Sequence, residues 1–575
     1  MKKMRRTWAI LLALVLTVAL AVPGFAAERV YSITITNDKA GHTYEAYQIF
    51  AGTVASDDPT DGATEGPMLG NIIWGTGVNG DALLAALKAA DNGKYGACTT
   101  AADVAKALGA EGATAADAAA FAEIAAQHLT ETHYDSTKGD GVYTISNLPA
   151  GYYLVKDQDG SLEGDADNAT EYIVQVLGNV TMEPKDSDIP TVEKKVYDEE
   201  FAQADGAGTY GIGYNDVADW DIGDRVPFKL IATVPQNIDA YEEYMFVFND
   251  TLSNGLTLDA DSINVYVTET TDANINEFDP QANNLYEVSA VTDGAFSITI
   301  QNIKALDAHD HPANYIIITY DATLNANAEI GLDGNPNSVY LEFSNNPNGD
   351  GLGRTTEDRV IVFTYELDGT KVDGEDDVTT LPGAQFVLFN GGHTRVAQID
   401  ANGRLSDWLA PDEINLGVTG NNDAERMANL TAEDFANYNN GSLLITSNEN
   451  GLFSVAGLDD GTYYLREIKA PDGYNLLEDD LKIVITATTA NGQTWNGVAA
   501  DALIALTISV DDAAAENGEP NTGAVAITVE NNGGSTLPET GGIGTTIFYA
   551  AGALLVLCAG VLLFVKLRMR KAGDE

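Results

Sequence analysis

Two sets of three residues could react with one another, and their spacing aims them inward. In Pro190-Thr191-Val192-Glu193-Lys194-Lys195-Val196, alternation puts Val192, Lys194 and Val196 on one face of a strand, so Lys194 points into the core. Asp250 shares a face with Phe246 and Phe248, and Asn337 shares one with Val339, Leu341 and Phe343. The pattern recurs downstream. Lys371 is in phase with Ile361, Phe363, Tyr365 and Leu367; Glu467 follows Tyr463 and Leu465 at two-residue spacing; Asn531 follows Ile527 and Val529 the same way. An unpaired charge in an apolar core costs several kcal/mol, so such groups tend to neutralise. Burial lowers the pKa of a lysine and raises that of a carboxyl group. A neutral amine is a nucleophile, and a protonated acid polarises an amide carbonyl and shuttles protons. Held against an asparagine carboxamide, such a pair can expel ammonia and leave a Lys–Asn isopeptide bond, with Asp250 and Glu467 as the proton shuttles. The reaction calls for no cofactor and no metal, and it runs once, so the chain is not expected to be a turnover enzyme. Two plainer readings compete: an inward lysine near a strand end snorkels to solvent, or a buried Lys–acid pair is a simple ion pair.

The elements that must hold these residues are mostly strands. Val30-Tyr31-Ser32-Ile33-Thr34-Ile35-Thr36 alternates like a half-buried strand. An Ala-rich stretch follows, with helical patterns over 81–90 and 114–129 capped by Asp81 and Thr114, before strands return over 141–146, 152–156 and 172–177. A Pro-containing junction, Glu183-Pro184-Lys185-Asp186-Ser187-Asp188-Ile189-Pro190, marks the first boundary. Beyond it come strand patterns over 225–231, 244–248, 263–267, 295–300, 315–320 and 339–343, the signature of an immunoglobulin-like β-sandwich. The third region has the same character, punctuated by Asn390-Gly391, Asn402-Gly403, Asn450-Gly451 and Asp472-Gly473. The fold expected is mainly β: tandem immunoglobulin-like sandwiches, the first domain carrying a helical insertion, with a C-terminal transmembrane helix.

Both ends lie outside that fold. Lys2, Lys3, Arg5 and Arg6 precede an apolar stretch over 8–22 and the small residues Gly24 and Ala26, which together read as a signal peptide cut after Ala26. The expected organisation is therefore a signal peptide over 1–26, an N-terminal β-rich domain over 27–183, sandwiches over 184–356 and 357–534, and a tail over 535–575. A formal charge of −56 argues against nucleic acid or anionic membrane as a partner. Of the two cysteines, Cys558 lies in the apolar tail, which leaves Cys98 without an intramolecular disulfide partner. The six histidines are scattered without an HEXXH or nucleophile-elbow pattern, and His309-Asp310-His311 reads as a polar loop.

Leu537-Pro538-Glu539-Thr540-Gly541, then an apolar run over 543–565, then Lys566, Arg568, Arg570 and Lys571, resembles the cell-wall sorting signal of Gram-positive surface proteins. In that family a membrane-bound sortase cuts between Thr and Gly, holding the Thr carbonyl as a thioester until an amine attacks. The run is also long enough to span the hydrocarbon core, with basic residues on the cytoplasmic side. Ala40-Gly41-His42-Thr43-Tyr44-Glu45-Ala46-Tyr47-Gln48-Ile49-Phe50 resembles the N-terminal domain of backbone pilins. Glu193-Lys194-Lys195-Val196, Asn249-Asp250-Thr251-Leu252 and Asn335-Pro336-Asn337-Ser338-Val339 resemble the isopeptide-forming domain of those pilins. Thr370-Lys371-Val372-Asp373, Leu381-Pro382-Gly383-Ala384-Gln385-Phe386 and the stretch from Tyr464 to Tyr474 are similar to the collagen-adhesin B-type fold, the last also matching the pilin E-box. Gly151-Tyr152-Tyr153-Leu154-Val155-Lys156-Asp157 echoes the glutamate-bearing strand but ends on Asp157, so no bond is expected in the first domain.

The resemblance implies a major pilin, polymerised by a class C sortase through Lys185 and Thr540 and passed to peptidoglycan by a housekeeping sortase. Its partners would be other copies of itself and minor pilins, with room for a host-surface ligand. Pilins of this kind carry the linking lysine in a motif ending Tyr-Pro-Lys. Pro184-Lys185 keeps the ending, while Glu183 replaces the tyrosine and the upstream tryptophan is absent. A monomeric wall-anchored adhesin shares every anchor feature and differs at Lys185.

Overall fold

Alternating apolar residues make strands through most of the chain, and the computed structural model shows a mainly β molecule. It describes residues 29–571 except 38, 40, 56–67, 111–114, 140, 163, 165–166, 170, 183–188, 199–212, 272–274, 310, 348–350, 491–494 and 534–542. The signal peptide, Lys185 and Leu537 to Gly541 therefore lie outside the described residues.

The first part is a sheet in the order Glu171–Val176, Gly151–Asp157, Tyr44–Ala55, Tyr134–Gly139, Val142–Leu148, Tyr31–Thr36 and Val180–Met182, with Met68–Trp74 paired to Tyr44–Ala55. Its two halves meet at a short seam, where Tyr44–Ala55 and Tyr134–Gly139 pair through Glu45↔Asp135 and Ala46↔Tyr134. The alternation of Tyr44–Ala55 feeds two cores. Tyr44 and Ala46 join Ile33, Ile35 and Tyr143 on one face, while Tyr47, Ile49 and Phe50 meet the helices on the other. The Ala-rich insertion forms Gly80–Ala90, Asn92–Tyr95, Ala101–Leu108 and Ala115–Ala126, two more segments than the periodicity predicts. Asp81 is not the cap. Asn79 accepts from the backbone N–H of Ala82, and Asp81 sits in the first turn, where its charge suits the helix dipole. Thr114 lies outside the described residues.

The second part is a pair of facing sheets. One runs Tyr214–Asn215, Val192–Tyr197, Arg225–Thr233, Tyr315–Leu324, Leu256–Thr268; the other runs Val217–Asp219, Asp358–Phe363, Asn335–Ser344, Phe246–Leu252, Ala295–Ile300, Glu287–Val288. Phe228, Leu230, Phe246, Phe248, Leu341 and Phe343 fill the space between them. Asp358–Phe363, which the sequence pattern groups with the third region, pairs instead with Asn335–Ser344 in this second sheet. Alternation identifies a strand's inner face but carries no information about which sheet receives it.

The third part sets a three-stranded sheet, Leu452–Leu458, Tyr365–Asp373 and Ala524–Asn531, against a larger one containing Gln385–Asn390, Gly461–Lys469, Leu481–Thr489 and Leu503–Val510. Tyr365–Asp373 and Ala524–Asn531 are parallel neighbours, with Lys371 opposite Val529 and Asp373 opposite Asn531. The helix Ile543–Lys571 contains a stretch, Phe548–Arg568, long and apolar enough to cross a membrane.

Candidate crosslinking sites

Lys194 and Asp250 come from opposite sheets of the second part and meet between them. Both side chains are fully buried, and the lysine Nζ donates to Asp250 Oδ2 at 2.5 Å. Lys194 sits opposite Leu230, and Asp250 opposite Val339 and Phe296. Asn337 stands opposite Leu252 on the next strand. A fourth residue joins them: Tyr320 accepts from Lys194 Nζ at 2.7 Å and from Asn337 Nδ2 at 2.9 Å, and donates to Asp250 Oδ2 at 2.9 Å. Nothing in the sequence marks Tyr320 as polar machinery. It is in phase with Ile316 and Ile318, and a tyrosine there reads as ordinary core.

Burial governs the protonation of this group. It pushes the Lys194 amine down to about 8 against the opposing attraction of Asp250. The same burial raises Asp250, with the Lys194 charge pulling it back, and holds Tyr320 well above the usual phenol range. Phe228 and the Tyr320 ring flank the amine at 5.6 and 5.3 Å from their centroids. Two acceptors are left over. Asp250 Oδ1 and Asn337 Oδ1 are buried with no hydrogen-bond partner among the described residues. Buried orphans of this kind call for an explanation, and a proton on the Asp250 carboxyl would supply a donor where two acceptors lack one.

Neighbours of the same residue types lack this unfinished quality. Asn335, also fully buried, donates to Glu329 O at 3.1 Å and Val362 O at 3.2 Å, and its Oδ1 accepts from Glu329 N at 3.0 Å. Lys195 points to the other face and pairs with Asp216 at 2.5 Å, whose second oxygen accepts from Trp495 N at 2.6 Å. These are closed structural networks.

The third part repeats the chemistry with different geometry. Lys371 and Asn531 lie on adjacent parallel strands, while Glu467, from the facing sheet, bonds Asn531 and acts on Lys371 through its charge. Asn531 Nδ2 donates to Glu467 Oε2 at 2.9 Å and to the Asn475 carbonyl, and Glu467 Oε2 also accepts from Leu477 N at 3.0 Å. Lys371 Nζ donates to the main-chain carbonyls of Val529 at 2.8 Å and Val372 at 3.3 Å. Burial lowers its pKa to about 8, against the pull of Glu467. Again the second carboxylate oxygen, Glu467 Oε1, and the amide Asn531 Oδ1 are buried and unpartnered among the described residues.

In the first part, Asp157 occupies the end of the strand that echoes the E-box, and its partner is a histidine. His42 Nδ1 lies 2.8 Å from Asp157 Oδ1 and its Nε2 lies 3.0 Å from Asp167 Oδ2, all buried. Two carboxylate acceptors require two N–H donors, so the ring is an imidazolium. Burial alone would lower its pKa, but the bonds to Asp157 and Asp167 outweigh this and raise it to about 9. The sequence reading missed this group because its members are scattered along the chain.

Comparison with known proteins assigns the segments. Residues 222–347 match the Gram-positive pilin backbone subunit 2, Cna-B-like domain; residues 366–497 match a prealbumin-like fold domain; residues 529–572 match the LPXTG cell wall anchor motif. The trypsin-resistant surface T6 protein of Streptococcus pyogenes serotype M6 is 25% identical over 307 residues, covering 44% of this chain and 48% of that protein. The chain thus matches about half the length of this curated relative. Among solved structures, the T6 backbone pilin of S. pyogenes covers 89% of this chain and all of its own at 17% identity, with a TM-score of 0.48. The major pilin SpaD of Corynebacterium diphtheriae covers 89% of this chain and 99% of its own at 18% identity, with a TM-score of 0.43.

Proposed function

We infer that this chain, which belongs with the sortase-assembled Gram-positive backbone pilins, is the repeating structural subunit of a covalent surface fimbria anchored to the cell wall. One observation carries this reading. A pilin-backbone domain, a prealbumin-like domain and an LPXTG anchor follow one another on the same chain, and the anchor ends in an apolar helix. The helix would hold the exported chain at the membrane while a pilin sortase cuts after Thr540. The new acyl group would then pass to Lys185 of another copy, and a housekeeping sortase would transfer the finished polymer to peptidoglycan. Minor pilins would complete the fibre.

Within each subunit, Lys194–Asn337 and Lys371–Asn531 isopeptide bonds would stiffen the two sandwiches. A proton moves from the Lys194 amine to Asp250. The neutral amine attacks Asn337 Cγ while the acid protonates the amide; the new C–N bond forms, the old one breaks, ammonia departs, and the carboxyl group is regenerated. Support comes from the 2.5 Å amine–carboxylate contact, the lowered lysine, the raised acid and the unpartnered amide oxygen. Glu467 would serve Lys371 and Asn531 in the same role.

A denaturing gel of wall extract tests the polymer. Wild type should give a high-mass ladder, and Lys185→Ala should collapse it to a single band. A ladder that persists unchanged rejects Lys185 as the linking residue. A wild-type extract with no ladder overturns polymerisation and leaves a monomeric wall-anchored protein.

A further inference from the structure

At the seam of the first sheet, Glu45 and Asp135 are direct cross-strand partners. Two carboxylates facing each other across a pair are destabilising unless something positive lies between them. The third group there is His133, whose Nε2 lies 3.6 Å from Glu45 Oε1 and 3.3 Å from Asp135 Oδ1. Both separations exceed the ordinary N–H···O range of about 2.7–3.2 Å. They fit a different geometry. With metal–ligand bonds of about 2.0–2.1 Å, two donors on a tetrahedral ion stand about 3.4 Å apart. All three donor atoms lie within 4.8 Å of one another.

The surroundings suit a ligand set. Tyr47 donates its hydroxyl proton to Glu45 Oε2 at 2.6 Å, which fixes that carboxylate and leaves Oε1 toward the histidine. The Tyr47 and His133 rings sit 5.2 Å apart and restrict the imidazole. His133 Nδ1 is buried with no hydrogen-bond partner among the described residues, and Nε2 is the ring atom that faces both carboxylates. The Asp135 side chain is 67% exposed, which leaves a coordination position open to water.

We propose that Glu45, His133 and Asp135 bind a first-row divalent cation, with Zn2+ the best match to one imidazole nitrogen and two carboxylate oxygens. The sequence reading anticipated no metal. The ion would neutralise the facing carboxylates and clamp the two halves of the sheet where their own pairing is shortest.

The test uses the full chain in detergent, stripped with a chelator and titrated with ZnCl2 in the presence of excess Ca2+ to fill non-specific acidic sites. One Zn2+ should bind per chain and raise the midpoint of thermal unfolding. His133→Gln and Asp135→Asn should each weaken binding by at least about tenfold; Asp135 is exposed enough for its substitution to leave the fold intact. Wild type loaded with Co2+ should show the visible bands of a tetrahedral site, a readout that needs neither variant. Absence of saturable Zn2+ binding overturns the proposal, as does binding that His133→Gln and Asp135→Asn leave unchanged.

Discussion

Lys194 and Lys195 are neighbours of the same type, both buried, and their fates differ because of what each leaves unsatisfied. Lys195 meets Asp216, both of whose oxygens are engaged. Lys194 meets an acid with one oxygen idle among the described residues, beside an amide whose carbonyl has no donor among them. Net stability from a buried ion pair is small or negative, so a fully buried pair is better explained by what it does than by what it stabilises. The expected outcome is a whole-protein mass lower than its residues sum to by two ammonias. Asp250→Ala should restore one of them and Glu467→Ala the other, read by intact mass spectrometry. A wild-type mass equal to the residue sum would remove the crosslinks altogether. The alternation of Val192, Lys194 and Val196 made the lysine legible, as it did Asp250 and Asn337. It could not distinguish Asn337 from Asn335, which share a phase and differ in hydrogen bonding, and it gave Tyr320 no mark that separates it from packing.

At the scale of elements, the first sheet solves with ions what the two sandwiches are proposed to solve with covalent bonds. His42 joins the approach to Tyr44–Ala55, the end of Gly151–Asp157 and the segment at Asp167. Its folded pKa of about 9 lies above the ordinary 6.5, so its contribution is complete below pH 6.5 and is lost as the pH rises through about 9. A rise of that size corresponds to roughly 3 kcal/mol as an order of magnitude. In denaturant unfolding, His42→Gln should therefore be less stable than wild type at pH 6 and converge on it near pH 10. A gap that stays constant across that range would mean that the ring acts through packing alone. Periodicity marks many of the strands and their inner faces, though not Met68–Trp74 or Tyr134–Gly139, and contacts between distant segments are invisible to it. The His42 triad escaped for that reason, and so did the sheet that receives Asp358–Phe363. The two additional helices in the Ala-rich insertion, Asn92–Tyr95 and Ala101–Leu108, escaped because they are too short for a helical period to stand out.

For the whole molecule, the positions of the crosslinks gain meaning from where a fibre would be pulled. If neighbouring subunits join through Lys185 and Thr540, tension enters after the first domain and leaves past the third. The first domain would then hang beside the load, where the ionic contacts of His42 with Asp157 and Asp167 need carry no tension. In the third part, Lys371 and Asn531 sit near the start and finish of the loaded segment on adjacent parallel strands, so a bond there would short-circuit nearly all of it. The second part is less completely protected. Asn337 is followed by two more strands, Leu352–Arg354 and Asp358–Phe363, held by hydrogen bonds to Asn335–Ser344 and, for the latter, to Val217–Asp219 as well. Pulled between residues 185 and 540 in a single-molecule experiment, the wild-type protein should release short lengths from around those strands. It should never release the loop between Lys194 and Asn337. Asp250→Ala should add an event of about 50 nm, the length of roughly 140 residues at 3.3–3.6 Å each. Wild-type molecules that yield this same 50 nm event would show that the loop is open and that force passes through the sandwich.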